Sequence, residues 1–308
     1  MFPCGYRIGV VLCILSAFPA YSQESDATPE TNQPPGDPRE DRRPPDPRDP
    51  ILFSSETERF KPLIVKLARN MWIDQKEIWT SFFHVRRTGD ELAWVLVAGG
   101  TAGLIASDPW TSRQLPNTAD QVRISRDVSQ LGAMYTVLPV TAGLYIGGAI
   151  FDNPKARETG VLGGEAILDA LIVAEVFKAT TRRERPLDGD GKGRFFAGGS
   201  SFPSGHATES WALASVVAHE YNSNIAYPIA AYGLASLISF SRLSGQRHFA
   251  SDVFAGSALG WFLGRYVYKT HVDHAIHRRY DSKLDRLRPR VVPLYDSDAK
   301  GLALTWGN

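Results

Sequence analysis

Cysteine is nearly missing from this chain of 308 residues: Cys4 and Cys13 are the only two, and both fall within the first 22 residues. Beyond that segment, disulfides, a thiolate nucleophile and cysteine-ligated zinc are excluded. An excess of one charge is missing as well. Lys and Arg number 34 against 33 Asp and Glu, so no basic field exists to hold nucleic acid, and no nucleic-acid partner is expected. Strand-like alternation is scarce before Arg288, and no repeat of fixed period is found. With 43% hydrophobic and 22% charged residues, collagen-like, coiled-coil and wholly disordered classes are excluded too.

What is there begins with an export signal. Arg7 is the only charge before Glu24, and an apolar run from Ile8 to Ala20 follows it. That run has the length of a signal-peptide core and is short for a membrane span. Ala20 and Ser22 are small residues suited to a cut before Gln23. Residues 1–22 therefore read as a signal peptide, with the alternative of an uncleaved anchor helix. Residues 24–50 are dominated by Pro and charge and lack large apolar side chains. Such a stretch buries too little surface to offset its ordering entropy, so 23–54 reads as a disordered or extended linker, a passive tether.

From residue 55 the pattern turns helical. Phe60, Leu63, Ile64, Leu67 and Trp72 follow a period near 3.6. Apolar segments recur at Leu92–Ile105, Leu131–Phe151, Val161–Phe177, Ala207–Ala218, Ile225–Phe240 and Val253–Tyr268. An all-α bundle of about six or seven helices is expected over 55–285, with its core at about 90–270. Only Leu131–Phe151 reaches span length without a charge. Small residues four apart, Gly143/Gly147 and Gly256/Gly260/Gly264, are candidates for close helix approach. The tail, 286–308, fits a small β-hairpin turning near Asp296–Lys300. Trp72, Trp79, Trp94 and Trp110 read as core residues by default.

Three stretches carry chemistry. In the first, Lys178 and Arg185 stand seven apart, two helical turns, with Arg185 pushed to the element's end by Pro186; Arg182 and Arg183 read as cations at a helix C-terminus. The second is Pro203-Ser204-Gly205-His206, leading into an apolar helix. Ser204 is a natural N-cap, and the free N–H groups beside Gly205 make an anion cradle. In the third, Arg242 precedes His248 and Asp252, which are neighbours one helical turn apart. A carboxylate on one imidazole nitrogen leaves the other as a nucleophile or base. Together these are the parts for in-line phosphoryl transfer through a covalent histidine: several donors for the spread negative charge, one His to attack and one to protonate the leaving oxygen.

The three stretches resemble the signature of the type-2 phosphatidic acid phosphatase and vanadium haloperoxidase superfamily: Lys, six residues, Arg-Pro; then Pro-Ser-Gly-His; then Ser-Arg, five residues, His, three residues, Asp. Every fixed position is present in order. The resemblance implies that His248 is the nucleophile, Asp252 its orienting partner and His206 the general acid. Lys178, Arg185 and Arg242 are then the phosphate clamp, with Ser204 and the Gly205 N–H as further donors. It implies no catalytic metal or cofactor, with vanadate an inhibitor. The expected protein is an exported phosphatase, periplasmic or membrane-associated and facing the periplasm, acting on a lipid phosphate, an isoprenoid pyrophosphate or another phosphomonoester. The alternatives are a vanadium-dependent haloperoxidase, with vanadate as cofactor, or a lipid phosphotransferase on the same site. Asp188–Gly193 departs from a calcium loop at Lys192, and His271, His274 and His277 read as a solvated helix end.

Overall fold

The computed structural model describes Arg48 and residues 63–81, 88–272, 289–295 and 300–306. The expected signal peptide and, Arg48 apart, the expected linker lie outside the described residues, as do His274 and His277. Among the described residues are eight α-helices: α1 (Leu63–Ser81), α2 (Thr88–Gln114), α3 (Ala119–Ser129), α4 (Met134–Ile150), α5 (Pro154–Thr181), α6 (Gly205–Glu220), α7 (Ala226–Ser244) and α8 (Ala250–His271). Each of the seven apolar segments of the sequence becomes a helix. The eighth, α3, is short and largely polar, so its sequence reads as connection. Two strands, β1 (Pro289–Tyr295) and β2 (Lys300–Trp306), pair antiparallel with Val292 opposite Ala303.

Local chemistry sets the helix ends. Asn153 accepts the Ala156 N–H at the start of α5, and Pro154 occupies the first turn. At its other end Arg182 takes the left-handed conformation, φ 44°, which turns the chain sharply. Thr118 caps α3 through the Gln121 N–H.

Helices α5, α6 and α8 form the core: Leu162, Ala166, Ala170, Val173, Ala212, Val216, Leu263 and Val267 are all buried. The glycine stripe of α8 presses on α6. A Cβ at Gly260 would stand 2.1 Å from the Thr208 carbonyl oxygen, and one at Gly256 2.7 Å from that of Ser204. This contact brings the N-termini of α6 and α8 together. Gly260→Val is expected to lose about 1–3 kcal/mol of stability by overpacking rigid backbone, measured by thermal unfolding in detergent. Gly143→Val is the control, expected to be near neutral. Gly143 and Gly147 have nothing within 4 Å, contrary to their expected role; the close contact on α4 falls one residue later, at Gly148, and on α5 at Gly160.

The outer helices turn apolar side chains outward: Leu92, Val95 and Leu96 on α2, Ile146 and Ile150 on α4, Leu237 and Phe240 on α7. Two stretches are long and apolar enough to cross a membrane, Leu92–Gln114 and Ala119–Ile150. The sequence reading gives one, because its first apolar run stops at Ile105. Asp108 is fully buried against Arg183, so the helix continues past it. Trp72 and Trp110 are exposed rather than in the core, whereas Trp94 stacks on Phe262 and Trp79 lies against Phe177.

Candidate active site

The loop after α5 returns toward the core beside the N-termini of α6 and α8, and all eight predicted site residues gather there. Lys178, in the last turn of α5, lies over the start of α6: a Cβ on Gly205 would be 3.0 Å from its Nζ. The same ammonium donates to Glu175 at 2.7 Å. Arg185 donates to the Ser200 hydroxyl at 3.3 Å. Ser204 and Gly205 open α6, and the Ser204 N–H donates to the Asp252 carbonyl at 3.0 Å. The buried Ser204 hydroxyl and the Arg242 Nε have no hydrogen-bond partner among the described residues. Both are donors that an anion would satisfy. A cavity of about 360 Å³ lined by Arg185, Gly199, Ser200, Gln246 and Arg247 opens beside them.

His248 is almost wholly buried, and its Nδ1 donates to the Ser201 carbonyl at 2.8 Å. This bond places the proton on Nδ1 and leaves Nε2 as the basic nitrogen of the neutral ring. Asp252 is not the direct acceptor that the one-turn spacing implies: its Oδ2 stands 3.8 Å from Nδ1. It acts one step away, accepting the Ser201 hydroxyl at 2.6 Å and the Phe249 N–H at 2.9 Å. Asp252 thereby fixes both the residue that holds the ring and the first turn of α8. Burial holds the His248 pKa down, against the pull of Asp252.

A second tier supports this one. Arg183 is 1% exposed. It donates to Asp252 Oδ1 at 2.6 Å, to Asp108 at 2.8 Å, to the Ser251 hydroxyl at 2.6 Å and to the Gly193 carbonyl at 3.1 Å. Its guanidinium lies over the rings of Phe195 and Phe249, 4.7 and 4.5 Å from their centroids. Ser251 also donates to Asp108. The sequence reading missed this unit. Arg183 reads as a helix-end cation because nothing in the sequence separates it from Arg182. Asp108, inside an apolar helix, is a signal that a buried partner must exist.

His206, in the first turn of α6, is held down to about 3 by burial and by the neighbouring Arg242, His248, Lys178 and Arg185. The loop acid Asp190 is engaged by Arg194 and Lys192 rather than by a calcium arrangement.

The class these features define is shared with known proteins. Residues 161–275 match the family model described as the PAP2 superfamily. The chain is similar to a lipid A 1-phosphatase from Porphyromonas gingivalis, 40% identical over 70 residues, which is 22% of this chain and 16% of that relative; it thus spans about a sixth of that protein. Among solved structures it is similar to a transmembrane PAP2-type phosphatidylglycerolphosphate phosphatase from Bacillus subtilis. That match has 22% identity, covers 63% of this chain and 98% of the other, and has a TM-score of 0.45. Another is Aquifex aeolicus LpxE, at 20% identity, 50% and 88% coverage and a TM-score of 0.36.

Proposed function

We propose that this chain is a lipid phosphatase that hydrolyses a phosphate monoester through a phosphohistidine on His248. The observation that carries the reading is the buried imidazole, fixed through Nδ1 by Ser201, among the cations Arg242, Arg185 and Lys178 and the unpartnered Ser204 hydroxyl. Nε2 attacks phosphorus, and the bond to the lipid alcohol breaks. His206 gives that oxygen its proton. Water then attacks phosphorus with His206 as base, the P–N bond breaks, and inorganic phosphate leaves with His248 restored. Lys178, Arg185, Arg242, Ser204 and the Gly205 N–H hold the equatorial oxygens, where negative charge spreads. The mechanism as written uses no metal.

The outward apolar faces of α2, α4 and α7 support a membrane-embedded body and hence a lipid substrate, as does the similarity to a lipid A 1-phosphatase. The N-terminal signal pattern supports export, with the site facing the periplasm. The test is phosphate release by the full chain in detergent with chelator present, from phosphatidic acid, an isoprenyl pyrophosphate and a soluble aryl phosphate. Chelator-resistant release from a lipid, blocked by vanadate, is the expected result. No release from any of the three, with halide oxidation on adding vanadate and peroxide, would replace the phosphatase with a haloperoxidase.

A general acid must carry a proton, and burial together with the cations Arg242, Lys178 and Arg185 opposes one on His206. The substrate's two negative charges reverse that field, so binding should bring the proton in. With vanadate bound, the His206 pKa is expected to climb from about 3, followed by NMR of the labelled imidazole. His206→Ala should cost about 10²-fold or more with a lipid alcohol leaving group and far less with an aryl phosphate. An unmoved pKa and equal losses on both esters would remove His206 from the acid role.

A further inference from the structure

We propose that Asp74, Glu165 and His271 form a binding site for a divalent cation of the zinc class, remote from the phosphate site. They come from α1, α5 and α8, and one ligand atom of each lies within 4.8 Å of the others. His271 Nε2 is 2.7 Å from Asp74 Oδ2 and 3.9 Å from Glu165 Oε1. Contrary to the sequence reading, the His271 side chain is only 3% exposed. Asp252 and His271 sit nineteen residues apart on α8, about 28 Å at 1.5 Å per residue. The cluster is therefore independent of the reading given to the phosphate site.

Two observations point to a cation. First, the Glu165 side chain is fully buried, and neither carboxylate oxygen has a hydrogen-bond partner among the described residues. One turn along α5, Asp169 gives Oδ1 to Gln75 at 2.9 Å, and its Oδ2 has no such partner either. Buried carboxylates are ordinarily paired, hydrogen-bonded or bound to metal. Secondly, carboxyl groups outnumber the cations beside them among the described residues. Asp74, Glu77, Glu165 and Asp169 lie about the Arg48 guanidinium, which donates to Asp74 Oδ1 at 2.8 Å and also to Glu77 and the Tyr266 hydroxyl. Were all four ionised, two negative charges would remain even with His271 charged, and a divalent ion would cancel them. Arg48 occupies Oδ1 of Asp74, and Oδ2 is the oxygen that faces His271.

The donor set selects the ion. One imidazole with carboxylates suits Zn²⁺ or its transition-metal neighbours, whereas Ca²⁺ takes oxygen alone. Tetrahedral ligands about 2.0–2.1 Å from Zn²⁺ stand about 3.3 Å apart, so the ion would displace the His271–Asp74 hydrogen bond and open that pair from 2.7 Å, while Glu165 closes on His271 from 3.9 Å. The ion would clamp α1 to α5 and to the C-terminal end of α8.

The test uses the full chain without a polyhistidine tag, in detergent and stripped by chelator. Zn²⁺ titration by calorimetry is expected to show one ion per chain. The thermal midpoint is expected to rise by about 5 °C or more. Glu165→Gln keeps the side chain's shape and should weaken binding by about 100-fold or more, and His271→Gln should do the same. Phosphate release, which needs neither residue, reports that each variant is folded; if His271→Gln fails to fold, Glu165→Gln decides. A wild-type chain that takes up no Zn²⁺, Mn²⁺ or Fe²⁺ would overturn the site. So would Glu165→Gln binding as tightly as wild type. A metal-insensitive chain made more stable by Glu165→Gln would mean that Glu165 and its neighbours share protons instead.

Discussion

Replacing His248 with alanine is expected to lower kcat by about 10⁴-fold or more on every phosphate ester, good and poor leaving groups alike. The loss is uniform because the variant has no atom to form the phosphohistidine, whatever alcohol departs. This separates His248 from His206, whose loss depends on the leaving group. Helix content should be unchanged, since the ring's hydrogen-bond partner among the described residues is a carbonyl oxygen, that of Ser201. Ser201 keeps its own bonds to the Arg183 carbonyl and to Asp252. Rapid-quench labelling with a ³²P-ester should trap a phosphoenzyme in the wild type and none in the variant. Retained turnover in His248→Ala would end the mechanism proposed here.

Arg183→Ala is expected to be the most damaging single change to stability, by about 3–5 kcal/mol. The side chain touches nothing of the substrate, but it neutralises two carboxylates, Asp108 and Asp252, whose side chains are fully buried. Removing it leaves both charges uncompensated in a dry interior, and it also opens a void between the rings of Phe195 and Phe249. Arg183→Lys should recover little, because a single ammonium cannot reproduce a fork that reaches Asp252, Asp108, Ser251 and the Gly193 carbonyl at once. Thermal unfolding and limited proteolysis read the effect. A variant of wild-type stability would show that the two carboxylates carry protons and need no cation.

The eight residues of the proposed phosphate site could be named from the sequence because each sits in a short motif with fixed spacing, and apolar periodicity gave seven of the eight helices. The geometry of the His248–Asp252 pair was not. Spacing of four puts them on adjacent turns of a helix, but α8 begins only at Ala250. His248 lies before it, where the Ser201 carbonyl competes for Nδ1 and wins. Arg183, Asp108 and the Asp74–Glu165–His271 cluster were invisible for a common reason. Their members lie between about 70 and 200 positions apart, and only the packed helices bring them together. A lone Glu or Asp in an apolar segment announces a partner without saying which one. The second apolar span was hidden because Asp108, buried against Arg183, interrupts its apolar run.

The Arg183–Asp108 pair also separates the boundary of the domain in sequence from its boundary in space. The matched segment starts at residue 161, yet Asp108, which completes the support beneath Asp252, is contributed by α2 well upstream. Gly163, where a Cβ would stand 3.1 Å from the Thr141 side chain of α4, ties the same segment to a second preceding helix. A fragment cut at residue 161 would keep all eight residues of the proposed site and lose the counter-charge of one buried guanidinium arm. Divergence in α2 is therefore constrained from inside: its outward apolar positions are free to drift while Asp108 is not. During synthesis His248 cannot settle until α2 and α8, made about 140 residues apart, have met.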